Sequence, residues 1–271
     1  MRVEGLSDSQ ASALERYWGP YLERASGLAV HRTVTVCDGG PGRWLEDPSP
    51  GEIYRVEPMV APECSLTLSY AFALGEGSDG RWRVVLARDA SEPAVQSLEN
   101  AARVLTTRMA CELGGFAMHS AGVLRDGRAW IFAGPSGSGK STVVRLSEPG
   151  VSLGDDFGLV LPDGAGGWLA APVPFDNAPT VVDRPERALL PVAGIWRLFR
   201  DEQTRVERPS GLVAATSLFS CAALPWAIPD LAGAVVENIG RFCLESFFGH
   251  LHFSLDEDFW GPLRDSVRPL D

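Results

Sequence analysis

The stretch GPSGSGKST, Gly134 to Thr142, holds the only lysine of the chain, Lys140; the other 23 of the 24 basic residues are arginine. It fits the pattern G-x-x-x-x-G-K-[ST] at Gly134, Gly139, Lys140 and Ser141. In such a loop (Gly134, Pro135, Ser136, Gly137, Ser138, Gly139, Lys140, Ser141 and Thr142) glycines let successive backbone N–H groups turn inward as an anion nest. The helix that begins near Gly139 adds its positive end. Lys140 is placed for the β- and γ-phosphates of a nucleotide such as ATP, and the Ser141 hydroxyl for Mg²⁺. Fifteen residues after Lys140 the short run VSLG ends in the acidic pair Asp155-Asp156. Two adjacent carboxylates can divide labour, one holding Mg²⁺ and one accepting the proton of an attacking hydroxyl. Hydrolysis needs only one, so the pair tilts the reading toward transfer. His119, on the strand before the loop's own strand, can sit beside the loop and bond a phosphate oxygen or orient the acids.

These residues need a strand, a loop and a helix in that order, and the sequence supplies them. RAWIFAG runs into the glycines, STVVRLSE continues as a helix, and FAMHSAGVL precedes across the tight turn Arg125-Asp126-Gly127. Before this unit, apolar residues from Leu98 to Leu113 repeat at helical spacing over about Pro93 to Gly114, closed by Gly114-Gly115. Residues 7–26 read as a helix behind a Ser/Asp start, 28–38 as a strand, 38–51 as a loop, and 65–74 and 81–88 as two strands. After Asp156 come strands GLVLP and WLAAP around the turn Asp163–Gly167, a Pro-punctuated loop at 172–191 and the strand IWRLFR. Helices at 210–223 and 228–247, the strand HLHFSL and a short helix near 258–267 complete the chain. The reading is α/β: a small N-terminal α+β domain at 1–92 with no nameable site chemistry, and a phosphate-loop domain at 93–271.

Composition bounds the function. With 45% apolar residues the chain can bury a real core, and its net charge of −11 argues against nucleic-acid or acidic-membrane partners. No apolar run approaches the ~18 residues of a membrane span, and MRVEGLSDSQ lacks a signal peptide's apolar stretch, so a cytoplasmic location is expected. Five cysteines (Cys37, Cys64, Cys111, Cys221, Cys243) without a CxxC pair read as free thiols. Arg145, Arg184, Arg187, Arg197, Arg200 and Arg241 are of the type that clamps phosphate. His250 and His252 share a strand face without further metal ligands in sequence nearby, and the eight tryptophans read as packing.

The segment MHSAGVLRDGRAWIFAGPSGSGKSTVVRL…GVSLGDD resembles the catalytic core of the HPr kinase/phosphorylase C-terminal-domain superfamily, and is similar above all to its shorter HPr-kinase-related members. The resemblance covers about 117–162 well and the rest weakly. It implies a fold akin to phosphoenolpyruvate carboxykinase, with ATP and Mg²⁺ as cofactors and phosphorylation of a hydroxyl as the reaction. His119 matches the family histidine, Gly134 to Ser141 the nucleotide loop, and Asp155 and Asp156 the acidic pair. The HPr enzymes form oligomers, so a homo-oligomer is a further implication. Two departures stand out: Ser120 follows the histidine where the bifunctional enzymes favour glycine, and WLAAPVPFDNAP replaces their downstream glutamate signature. Both point to an acceptor other than HPr, a small molecule or a peptide. An ATP-binding regulatory module and a simple ATPase are the competing expectations.

Overall fold

The computed structural model describes residues 1–19, 32–49, 57–61, 64–77, 79–147, 151–175, 189–223, 228–255 and 257–267. The chain is mixed α/β and divides into two compact units, Met1–Thr106 with Leu224–Asp230, and Thr107–Ala223 with Leu231–Asp271. Positions 20–26 and 28–31 of the sequence-read helix and strand, and 176–188 with Arg184 and Arg187, lie outside the described residues.

The first unit opens with strand β1 (Arg2–Glu4) and helix α1 (Asp8–Trp18). The Ser7 hydroxyl accepts from the Gln10 N–H while the Gln10 side chain accepts from the Ser7 N–H, a capping box that fixes where α1 starts. Then follow β2 (Thr33–Cys37), β3 (Glu57–Ala61), β4 (Cys64–Leu68), β5 (Phe72–Glu76), β6 (Trp82–Leu86) and helix α2 (Ala94–Glu112). They form a six-stranded sheet in the order β1-β2-β6-β5-β4-β3, parallel across β1, β2 and β6 and antiparallel beyond. The run read as one strand at 65–74 is two: Ser69 turns the chain, its hydroxyl accepting the N–H groups of Ala71 and Phe72. Alternation continues through such a turn, which is why the sequence pattern missed it. Leu98, Ala101, Ala102 and Leu105 of α2 face Leu14, Val34, Val36 and Val84. Most of α2 therefore clusters with this sheet, and the unit boundary falls at Thr106, later than the 92/93 read from sequence.

The second unit carries β7 (Phe116–Met118), β8 (Ser120–Arg125), β9 (Arg128–Ala133), helix α3 (Lys140–Arg145), β10 (Val151–Gly154), β11 (Gly158–Pro162), β12 (Trp168–Ala171) and β13 (Leu190–Arg200). After these come β14 (Arg205–Glu207), helices α4 (Gly211–Phe219) and α5 (Ala232–Glu245), β15 (Phe248–Phe253) and helix α6 (Trp260–Ser266). The nine-stranded sheet runs β10-β8-β9-β13-β12-β11-β7, with β15 also on β13 and β14 on β15. Among the described residues of this unit, only β9–β13 and β13–β15 are parallel pairs. The strand read across FAMHSAGVL breaks at His119, because β7 pairs with β11 whereas β8 pairs with β9. The turn joining β8 to β9 places Asp126 and Gly127 at φ 53° and 71°, as a two-residue hairpin demands.

One face of this sheet is packed by Trp130 stacked on Trp196, ring centroids 5.1 Å apart, with Phe132, Phe253, Val143 of α3 and Trp260 of α6. Phe132 is fully buried there, and truncation of such a ring typically costs ~3–5 kcal/mol. The tryptophans of this unit are core, as read. Cys37, Cys111, Cys221 and Cys243 are free thiols; the Cys64 side chain lies outside the described residues.

Candidate functional site

Registers of the central strands bring distant parts of the chain to one edge. Ser120, the first residue of β8, lies opposite Ala133, the last of β9, and Gly122 lies opposite Gly154, the last of β10. The ends of β9 and β10 and the start of β8 therefore coincide. The glycine loop leaves β9 there, Asp155 and Asp156 leave β10 there, and His119 enters β8 there.

The loop is held at both roots. The Gly134 N–H donates to the His119 carbonyl at 3.1 Å, and the His119 N–H donates to the Cys221 carbonyl at 2.8 Å. His119 is thus pinned between the glycine loop and the chain that follows α4. At the other root Gly139 has φ 105°, and a Cβ on it would stand 2.6 Å from the Phe253 ring, so only glycine fits. A Cβ on Gly134 would stand 2.6 Å from the Ser138 Oγ, showing that this hydroxyl turns inward across the loop. That Oγ is buried with no hydrogen-bond partner among the described residues. Pro135, Ser136 and Gly137 form the exposed crown, and Gly134, Gly139 and Lys140 the buried base.

Lys140 is only 8% exposed. Its ammonium donates to the carbonyls of Gly134 at 2.8 Å and Pro135 at 3.1 Å, folded back along the loop. Burial pushes its pKa down, opposed by Asp156, by the Cys221 thiol and by Asp155, in that order. The Ser141 hydroxyl donates to Asp155 Oδ2 at 3.3 Å. The two acids therefore differ: Asp155 pairs with Ser141, while Asp156 acts more strongly on Lys140.

The anion nest, the inward Ser138 hydroxyl and the Ser141–Asp155 pair suit a polyphosphate with its divalent cation, Ser141 and Asp155 being the residues that would hold the ion. Among the described residues no group of three or more His, Cys, Asp or Glu side chains could hold a metal unaided. His250 and His252 do not converge on one: His250 Nε2 meets the Ser217 hydroxyl at 2.8 Å, whereas His252 Nδ1 lies 3.2 Å from Asp201. Of the other arginines singled out, Arg145 and Arg200 are exposed, and Arg241 donates to the Gly114 carbonyl. Sequence reading missed the Ser217–His250–Arg197 contact, since nothing in spacing signals that α4 and β15 meet.

Over residues 86–184 the chain is similar to the family of the SynChlorMet cassette protein ScmC, a match to well under half of its length that includes His119, the glycine loop and the Asp pair. No curated protein matches it. Among the described residues no helix is long and apolar enough to cross a membrane.

Proposed function

We propose that the protein is a Mg²⁺- and ATP-dependent kinase that transfers the γ-phosphoryl group to a hydroxyl of a small molecule or peptide. The observation that carries this reading is the convergence on one sheet edge of Lys140, the Ser141–Asp155 pair, Asp156 and His119. The resemblance to HPr-kinase-related proteins supports it. So does the strand pattern: β8, beside the loop's strand, is antiparallel to it, unlike the parallel sheets of doubly wound nucleotide-binding folds and in keeping with a phosphoenolpyruvate-carboxykinase-like domain.

In this reading the loop amides and Lys140 neutralise the β- and γ-phosphates. Ser141 and Asp155 would hold the divalent ion, which would supply charge neutralisation of the polyphosphate. Asp156 takes the acceptor's proton as the acceptor oxygen bonds to the γ-phosphorus, and the bond from that phosphorus to the β–γ bridging oxygen breaks, releasing ADP. His119, whose carbonyl accepts from the Gly134 N–H, holds the loop root.

The test uses purified protein with γ-labelled ATP and Mg²⁺, mixed with small-molecule, peptide and protein fractions of cell extract, with Lys140→Ala as control. Label in one fraction with the wild type alone is the expected result. Free labelled phosphate without any labelled acceptor would make it an ATPase. ATP bound and never consumed would make it a nucleotide-gated binding module.

A further inference from the structure

Arg197 stands one strand from the phosphate loop. On β13 it is in register with Ala133, the residue before Gly134, and on its other side with His250 of β15. Residues level with one another on neighbouring strands share a face and lie ~5 Å apart, so Arg197 flanks the loop's root on the side away from β8 and β10.

Its guanidinium is fixed by a built network. Arg197 Nη1 donates to the Ser217 Oγ at 3.1 Å, and that hydroxyl is 2.8 Å from His250 Nε2. With Arg197 as its donor, the Ser217 hydroxyl keeps a proton that it can give to an unprotonated His250 Nε2. Burial, then Arg197, pushes the His250 pKa down, in keeping with a neutral ring. Phe199 and Phe248 hold that ring edge-on, with centroids 5.0 and 5.8 Å away, and the Arg197 Cζ lies 5.2 Å from the Phe199 ring.

The network restrains Arg197 without neutralising it. Its Nε is buried with no hydrogen-bond partner, and no carboxylate forms an ion pair with it among the described residues. Both Arg197 and Lys140 act on the same buried Cys221 thiol, whose pKa burial raises and both cations oppose. Two cations, one in the loop and one on the next strand, are thus within electrostatic reach of one thiol. Arg197 is half-buried, and a guanidinium nitrogen buried without an acceptor, as its Nε is, costs free energy unless a ligand meets it.

We propose that Arg197 is a second anion-binding residue of this edge, taking the polyphosphate of the nucleotide donor, with Ser217 and His250 as its positioning residues. This rests on the kinase reading above. The flank decides between donor and acceptor. Asp156, the proton acceptor for the incoming hydroxyl, lies on the β10 side, and Arg197 lies on the opposite side of the loop, where the donor's leaving phosphates belong.

The test measures binding of Mg·ATP, Mg·ADP and AMP to the full chain by calorimetry, for the wild type and for Lys140→Ala, Arg197→Met, Arg197→Lys, Ser217→Ala and His250→Gln. Arg197→Met should weaken ATP and ADP by ~10-fold and leave AMP nearly unchanged. Arg197→Lys keeps the charge and loses the fork, so it should recover only part of that loss. Ser217→Ala and His250→Gln should each weaken ATP by ~3-fold without moving AMP, a selectivity that a merely structural defect would not produce. If Arg197→Met melts cold and cannot be titrated, Arg197→Lys decides, and unchanged ATP affinity there overturns the proposal. ATP binding that is lost in Lys140→Ala but intact in every Arg197 variant removes Arg197 and leaves the kinase standing. A loss confined to turnover, with ATP and ADP affinity intact, moves the anion to the acceptor and overturns the donor assignment. A wild type that binds neither ATP nor ADP overturns both readings.

Discussion

The two sheets bury polar groups in different ways. In the first unit the buried polar side chains serve the backbone. Ser69, fully buried, terminates two N–H groups at the β4–β5 turn, and Gln10 closes the capping box of α1. Its charges pair at the rim, as Arg83 does with Asp79 and Arg32 with Glu76. In the second unit a lysine is buried against carbonyls of its own loop, and an arginine is held by a serine and a histidine with no carboxylate on it among the described residues. A fold gains little from burying a charge without its counter-charge. Lys140 also feels Asp156 and Asp155, whereas Arg197 has no carboxylate on it among the described residues, and it is this second cation that the proposed anionic ligand would meet. The proposed chemistry belongs to the second unit, and α2 runs along the chain from one unit into the other.

The strongest break in the comparison is chemical. Asp156→Asn should lower phosphoryl transfer by ~10²–10⁴-fold, while ATP affinity changes little, as steady-state rates set against calorimetric affinities would reveal. Retained turnover would remove Asp156 as the base. Next, Gly139→Ala forces a side chain into the left-handed region and into the Phe253 ring, so nucleotide binding should fall at least ~10-fold alongside a lowered Tm. Normal binding would mean that the loop tolerates another backbone path.

The converse probes the first unit. Leu74 is 1% exposed, and Leu74→Ala should cost ~2–5 kcal/mol in denaturant unfolding. Nucleotide affinity of the folded fraction should stay as in the wild type; a parallel loss would show that the first core sets the site as well.

The smallest effect sharpens the electrostatic side. Burial above all, then Glu92, which accepts the Tyr70 hydroxyl proton at 3.2 Å, holds the Tyr70 phenol protonated up to about 12 against an ordinary 10.0. The folded state therefore keeps a proton that the unfolded chain has lost. Its stabilisation is whole below pH ~10 and disappears as pH rises through ~12. Tyr70→Phe should flatten that part of the alkaline unfolding curve, and an unchanged slope would discount Tyr70.

Much of the site was legible because its signals are local. A glycine loop needs φ values that only glycine adopts freely, a two-residue turn needs Asp126-Gly127, and α2 stops where Gly114 takes φ 81°. Strands β1, β3 and β14 carry no such local mark, and β4 and β5 were merged because alternation persists across Ser69. The boundary after residue 92 was drawn where the joining helix begins, whereas the first compact unit runs on through that helix to Thr106.

The amino-acid sequence alone determined the glycine loop, the acidic pair and the hairpin around them, since chirality, hydrogen-bonding capacity and short spacing suffice to specify them. The tertiary structure alone decided that Asp155 meets the Ser141 hydroxyl, that the Cys221 carbonyl anchors His119, and that Ser217 and His250 restrain Arg197. Those contacts join residues far apart in the chain. Their geometry follows from strand register and from helix packing against the sheet, which depend on the whole core rather than on any one segment.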